Sequence, residues 1–145
     1  MFKLYVRPHL EYCVEVWNPQ YAGDMCKIEK SQNKMTKLLK HGRLLSPKER
    51  NDVLGIESHE ERRLRGDLIY MYKNIDNASL FELRSDTRTR GNDRTIKVPF
   101  HRTMVKRHSF SYRNVRNWNN LPDYVVNSST LNNLKTNYDF NYINR

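Results

Sequence analysis

Apolar positions recur at helical spacing in several stretches of this chain. In the stretch from Gly23 to Lys40, the apolar residues recur with helical spacing: Met25, Ile28, Met35, Leu38 and Leu39. Lysines fall between them, at Lys27, Lys30, Lys34 and Lys37. The pattern predicts an amphipathic helix with a lysine-rich outer face. We interpret those lysines as a solvated face rather than as phosphate contacts.

Two capping boxes mark the starts of the next helices. Ser46 is followed by Pro47 and, three residues on, by Glu49, so the hydroxyl and the carboxylate can each accept a hydrogen bond from the other's backbone N–H. Gly55 suits the left-handed end of that helix. Ser58 opens a second box, and the helix after it is predicted to run to about Ile75. One face of this helix is predicted to be apolar, with Leu64, Leu68, Met71, Tyr72 and Ile75.

The two ends of the chain also show helix signals. Near the start, we predict a helix from Pro8 to about Val16, because proline is tolerated in a first turn and a second proline follows at position 19. Towards the end, Ser109 can cap a helix, and Thr130 can cap a last one. We expect the chain to fray after Tyr138.

Residues 95–100 alternate between polar and apolar side chains, which predicts a short strand. Pro99 confines that strand to an edge or an end. The predicted fold class is therefore mainly α, a small helical bundle with a short β-strand or hairpin near residues 95–100. We divide the chain into a helical region (1–83), a basic loop and strand segment (84–108), and C-terminal helices with a frayed tail (109–145).

The positive charge is concentrated in one stretch. The chain holds 26 Lys and Arg against 16 Asp and Glu, a formal net charge of +10. Ten of those basic residues and two of the acids lie between Arg84 and Arg116, so this stretch has a net charge of +8 and the remainder +2. Such a concentration attracts polyanions, of which nucleic acid is the commonest.

The sequence therefore predicts RNA or DNA as a partner, held by its phosphates. Arginines and lysines on loop or extended backbone can reach phosphates without competing demands from helix packing. The residues that we predict to make these contacts are Arg88, Arg90, Arg94, Lys97, Arg102, Lys106 and Arg107.

No motif for catalysis is visible. The chain lacks a glycine-rich phosphate loop, an HExxH motif and an adjacent pair of aspartates, and the spacing of Cys13 and Cys26 is unlike that of a zinc pair. We expect no metal, no cofactor and no enzymatic activity. The longest apolar run, Leu68–Tyr72, is far shorter than the roughly 18 residues of a membrane span, so we expect no membrane partner. We also expect an intracellular protein, nuclear or cytoplasmic, and not a secreted one.

Several short motifs follow one another along nearly the whole chain. They are 4–13 (LYVRPHLEYC), 16–19 (VWNP), 28–30 (IEK) with Gln32, 45–46 (LS) with 49–50 (ER), 54–55 (LG), 60–68 (EERRLRGDL), 87–92 (TRTRGN) and 118–122 (WNNLP). In order and spacing they resemble the segment just after the polymerase core of non-LTR retrotransposon reverse transcriptases of the jockey-like and LINE type. The resemblance implies a C-terminal fragment, with residues 1–83 similar to the helical thumb.

The resemblance also implies a function. Polymerases of this family copy RNA into DNA with metal-bound aspartates of a palm region, whose Tyr-x-Asp-Asp motif does not occur here, so no catalytic residue carries over. Their thumb holds the template–primer duplex by its backbone. We therefore expect non-specific binding to an RNA–DNA duplex backbone, with the missing polymerase core as a further partner. The alternative is a helical protein-interaction or packing module with no ligand of its own, from a decayed copy of the element. Its helices Met25–Leu39 and Leu64–Ile75 would then pack against that missing core.

Overall fold

The computed structural model describes residues 2–38, 42–84 and 94–142, and in these the protein is mainly helical, as predicted. A π-helical turn, Phe2–Val6, comes first. The α-helices are α1 (Arg7–Glu11), α2 (Val14–Trp17), α3 (Ala22–Lys37), α4 (Pro47–Leu54), α5 (His59–Asn74), α6 (Met104–His108), α7 (Phe110–Arg113), α8 (Val115–Asn119), α9 (Asp123–Val126) and α10 (Leu131–Tyr142).

The chain forms two compact units, Met1–Arg65 and Gly66–Arg145. The boundary between them falls within α5. The predicted boundaries near residues 84 and 109 both lie inside the second unit.

Both predicted capping boxes are present in the first unit. The Ser46 hydroxyl accepts from the N–H of Glu49 at 3.3 Å, and the Glu49 carboxylate accepts from the N–H of Ser46 at 2.7 Å. Ser58 and Glu61 make the same exchange at 3.2 and 2.9 Å. Gly55 ends α4 in the left-handed region at φ +57°, where glycine meets no Cβ penalty.

The N-terminal helix is broken, so the predicted continuous helix from Pro8 to Val16 is wrong. Between α1 and α2 the chain turns through Cys13, which has a left-handed φ of 51°. The indole N–H of Trp17 donates to the carbonyl of Tyr12 at this break. The side chain thus satisfies a carbonyl that a continuous helix would have bonded within its own backbone.

The interior of the first unit is built mostly from polar side chains. Within residues 2–38 and 42–65, Val14 is the sole buried apolar residue. The buried polar and charged residues are Arg7, Gln32, Thr36, Arg50, His59 and Arg63. A polar interior is stable only where its groups find hydrogen-bond partners.

Gln32 and Arg50 link the elements of this polar interior. The Gln32 amide accepts from Arg7 at 3.1 Å and donates to the carbonyl of Glu57 at 3.0 Å. The Arg50 guanidinium donates to the Thr36 hydroxyl at 3.1 Å and to the carbonyl of Gly42 at 3.1 Å. These bonds join α1, α3 and α4 without an apolar core.

Helix α3 therefore does not bury the face that its sequence pattern indicates. Its buried residues are Gln32 and Thr36, whereas Met35 is 38% exposed and Leu38, directly after the helix, is 74% exposed. The helix ends at Lys37, and the predicted positions Leu39 and Lys40 lie outside the described residues.

The second unit has an apolar core. Its buried apolar residues come from α5, from residues 81 and 96, and from α8 to α10: Leu68, Met71, Ile75, Phe81, Ile96, Val115, Trp118, Leu121, Val125, Val126, Leu134 and Tyr138. Of the face predicted for the helix after Ser58, Leu68, Met71 and Ile75 are buried, whereas Leu64 and Tyr72 are half-buried. The Tyr72 hydroxyl donates to the carbonyl of Ser128 at 2.6 Å and connects α5 to the segment before α10.

The strand expected near residues 95–100 is reduced to one antiparallel bridge between Leu83 and Ile96. Flanking hydrogen bonds run from Arg84 N–H to the Thr95 carbonyl and from Lys97 N–H to the Glu82 carbonyl, both at 2.8 Å. The backbone of Ile96 is also bonded by the side-chain amide of Asn119. This amide accepts from the N–H of Ile96 at 3.0 Å and donates to the carbonyl of Ile96 at 2.7 Å. The side chain of Asn119 thus takes the place of a further strand.

The C-terminal part differs from the prediction in three places. Residues 104–108 form helix α6, capped by the Thr103 hydroxyl, where a loop or strand was expected. The helix expected after Ser109 is interrupted at Asn114. The last helix continues to Tyr142 rather than fraying after Tyr138, and these two tyrosine rings stack with centroids 4.9 Å apart.

The first prediction concerns the apolar core. Met71→Ala should lower the free energy of unfolding by about 2–5 kcal/mol, because the side chain is fully buried and its removal leaves a cavity. Met104→Ala is the matched control, since Met104 is 61% exposed in a helix of the same unit. Urea denaturation of both variants measures the difference, and equal losses would contradict the assigned core.

His59 is a buried titratable group in the first unit. It is fully buried, and neither ring nitrogen has a hydrogen-bond partner among the described residues. Burial lowers the pKa of His59, and the positive charges of Arg7 and Arg63 lower it further, against the opposite influence of Glu29 and Glu11. The folded protein therefore holds this imidazole neutral.

The second prediction follows from that lowered pKa. Below about pH 6.5, an unfolded histidine binds a proton that folded His59 resists, so the free energy of unfolding should fall as the pH falls. His59→Phe should flatten this dependence, measured as urea midpoints at neutral and mildly acidic pH. His9→Phe, at an exposed position of α1, is the control and should keep it. An unchanged slope in His59→Phe would contradict the assignment.

Candidate nucleic-acid interface

Five of the seven predicted contact residues fall within the described part of the second unit. They are Arg94, Lys97, Arg102, Lys106 and Arg107. Arg88 and Arg90 lie outside the described residues.

Arg94 and Lys97 flank the bridge residue Ile96, and both side chains have partners. The guanidinium of Arg94 lies 5.5 Å from the ring centroid of Tyr72, and its carbonyl accepts from the Trp118 indole at 3.0 Å. Lys97 pairs with Glu82 at 2.7 Å, and both side chains are exposed. An exposed pair of this kind contributes little to stability, so a phosphate can compete with Glu82 for the lysine.

Arg102, Lys106 and Arg107 lie on or beside α6, and all three are exposed. The Lys106 ammonium lies 5.2 Å from the ring centroid of Tyr112. No carboxylate of the described residues lies within 4 Å of any of the three. Among the described residues, no carboxylate therefore neutralises these three positive charges.

A cavity of about 370 Å³ opens beside α6. Residues from the loop before α6 and from α6 to α8 line it: Val98, Pro99, His101, Arg107, His108, Tyr112, Arg113 and Arg116. Histidine, tyrosine and arginine side chains can all donate hydrogen bonds to an anion. The loop, α6, α7 and α8 thus bring donors from different parts of the basic stretch into one concave surface.

A buried ion pair holds one wall of this cavity. Arg113 donates to both carboxylate oxygens of Asp67, at 3.0 and 2.8 Å, and the Asp67 side chain is 2% exposed. The amide of Asn114 donates to the same carboxylate. Two parallel bonds between a guanidinium and a carboxylate fix both side chains. Because Asp67 offsets the charge of Arg113, that arginine serves chiefly as a fixed part of the wall.

The sequence-based choice of contacts did not include five donors of the cavity. Arg113 and Arg116 belong to the basic stretch but were not chosen, and neither were His101, His108 and Tyr112. One signal could have found most of them. His108, Tyr112 and Arg116 are spaced by four residues, which puts side chains on one side of a helical segment.

The described residues show two further absences. No group of three or more histidine, cysteine, aspartate or glutamate side chains within residues 2–38, 42–84 and 94–142 is placed to hold a metal ion. In the same ranges, no helix has both the length and the apolar character needed to cross a membrane.

No protein family, curated protein or solved structure matches this chain.

The third prediction concerns the buried ion pair. Asp67→Asn should lower the free energy of unfolding by about 3–5 kcal/mol, because it removes the carboxylate that pairs with Arg113 at a largely buried site. Asp76→Asn, at an exposed position two residues after the end of α5, should change it by less than about 0.5 kcal/mol. Denaturant titration gives both values, and a mild effect of Asp67→Asn would contradict the role given to the pair.

Proposed function

We propose that this chain binds nucleic acid non-specifically through its phosphate backbone, as the template–primer-binding part of a retrotransposon RNA-directed DNA polymerase without the catalytic palm. In this proposal the chain has no enzymatic activity of its own and acts inside the cell, in the nucleus or the cytoplasm. Its ligand is an RNA–DNA or DNA duplex.

One observation carries the binding proposal. Arg102, Lys106 and Arg107 are exposed side by side at one short helix, with no carboxylate of the described residues within 4 Å. Lysine and arginine that neutralise phosphates release condensed counter-ions, and this supplies binding without base recognition. A buried pair with a carboxylate would leave such a side chain unable to neutralise a phosphate, as is the case for Arg113.

The assignment to a polymerase fragment depends on the motifs alone. The motif WNNLP has a visible structural role, since Trp118 and Asn119 hold residues 94–96 by side-chain hydrogen bonds. The aspartate of the motif EERRLRGDL is Asp67, which holds Arg113. Both motifs therefore contain residues that position parts of the basic stretch from Arg84 to Arg116. This supports the relevance of the motifs to binding.

The fourth prediction is a steep salt dependence. If about five phosphates are engaged, the slope of log affinity against log salt concentration should be about −4 to −5. Replacing Arg102, Lys106 and Arg107 together by glutamine should make the slope shallower by about 2 to 3, because three phosphate contacts are lost. Fluorescence anisotropy with a labelled RNA–DNA duplex over a salt series measures both slopes.

The matched control removes the same charge elsewhere. Lys30, Lys34 and Lys37 are exposed on α3, which we interpret as a solvated face. Replacing these three by glutamine should leave the slope nearly unchanged. Equal changes in the two triple variants would show that net charge, and not this interface, governs binding.

A second candidate function is supported by the first unit. This unit buries polar groups and exposes large apolar side chains, the most exposed of which are Leu4, Tyr5, Tyr12, Val16, Tyr21, Leu38, Leu44 and Val53. Exposed apolar residues mark a surface that packs against another protein where they form one contiguous patch. The first unit could then be a packing module, as in the alternative given by the sequence.

The two candidates give different results in the same titration. A packing module has no phosphate contacts, so affinity for the duplex would be low and independent of salt. A steep dependence on salt that becomes shallower in the Arg102, Lys106 and Arg107 variant favours the nucleic-acid interface.

A further inference from the structure

The cavity beside α6 contains more donors than a flat backbone contact needs. Arg107 and Arg116 are exposed at its surface, and His101, His108 and Tyr112 are half-buried in its lining. Neither Arg107 nor Arg116 has a carboxylate of the described residues within 4 Å. Two uncompensated guanidinium groups therefore share a concave site with three further donors.

We propose that this cavity binds the terminal phosphate monoester of a nucleic-acid strand. The inference rests on the proposed function, because it assumes that a nucleic-acid strand is bound at the backbone interface. It adds that the end of this strand is recognised. Arg107 and Arg116 supply the charge, and the two histidines and Tyr112 supply further donors.

A terminal phosphate suits this donor set better than an internal one. A monoester carries about −1.5 to −2 charges at neutral pH and has three free oxygens that accept strong hydrogen bonds. An internal phosphodiester carries one charge and has two free oxygens. Converging donors in a cavity can surround a strand end, whereas an internal phosphate has chain on both sides.

The size and the apolar part of the lining agree with a nucleotide. A volume of about 370 Å³ lies at the lower end of the range for small-molecule pockets, which begins at about 300 Å³. Val98 and Pro99 give the cavity an apolar wall, against which a sugar or a base can lie.

The surroundings favour a strand end over a free nucleotide. Two exposed cations lie next to residues that line the cavity. Arg102 directly follows His101 in sequence, and the Lys106 ammonium lies against the ring of Tyr112. They do not line the cavity themselves and are available to the next phosphates of the same strand. A single nucleotide would leave them unused.

The part of the cavity wall that contains Arg113 is held in place by bonds within the protein. Asp67 and Asn114 hold Arg113 and the junction of α7 and α8, which flanks Tyr112 and Arg116 in sequence. This part of the wall is therefore preorganised, which lowers the cost of ordering it on binding.

The experiment compares two labelled single strands of the same sequence, one with a 5′-phosphate and one with a 5′-hydroxyl. Fluorescence anisotropy with the full chain at neutral pH and low salt gives the two affinities. We expect the phosphorylated strand to bind about three to ten times more tightly, because its end accepts charge-assisted hydrogen bonds from two guanidinium groups.

Two double variants locate the effect. Replacing Arg107 and Arg116 by glutamine should abolish the preference for the phosphorylated strand. Replacing Arg84 and Arg102 by glutamine removes the same charge from two exposed arginines outside the lining, so it should weaken both strands alike and keep the preference. Circular dichroism of each variant checks that it is folded. Loss of the preference in both double variants would overturn the site.

The outcomes separate this inference from the proposed function. Equal binding of the two strands by the unmodified protein would overturn the terminal-phosphate site and leave backbone binding standing. Binding of neither strand would overturn the terminal-phosphate site, whereas the salt titration with the RNA–DNA duplex tests the backbone interface separately. A free nucleoside 5′-monophosphate that displaced the phosphorylated strand at equal concentration would overturn the assignment to a strand end.

Discussion

The buried carboxylate of Asp67 is the constraint on which the second unit depends. An unpaired charge in an apolar core costs several kcal/mol, so Arg113 and Asn114 must lie where they can bond it. That requirement explains the interruption between α7 and α8, since Asn114 stands there outside either helix and donates to Asp67. The same contact sets the wall that Arg113 contributes to the cavity.

A second constraint keeps the basic segment at the surface. Trp118 and Asn119 hold the backbone of Arg94 and Ile96 with neutral hydrogen bonds, and Ile96 anchors this backbone in the core. The attachment therefore uses no charged side chain. The cations of the following residues stay available to solvent or to phosphate, which is what a sequence-independent contact with a polyanion requires.

The two units represent different solutions to folding. The second buries a large set of aliphatic and aromatic side chains, whereas the first buries arginine, glutamine and threonine in a hydrogen-bonded network. A polar interior gains little from the hydrophobic effect, so its stability depends on the completeness of its hydrogen bonds. His59 stands outside this network and makes the first unit sensitive to acid.

By itself, the sequence determined what depends on neighbours within one turn of a helix. Both capping boxes, the left-handed glycine and the extent of α5 were predicted correctly, because propensity and spacing act locally. Tertiary structure alone decided the rest. The N-terminal helix is interrupted before Val14, and Gln32 rather than Met35 lies in the interior. The Asn119 amide stands where a further strand would pair with Ile96. The last two of these choices give a polar group a partner more than twenty residues away, Arg7 for Gln32 and Asn119 for the backbone of Ile96, and no local pattern records such a partner.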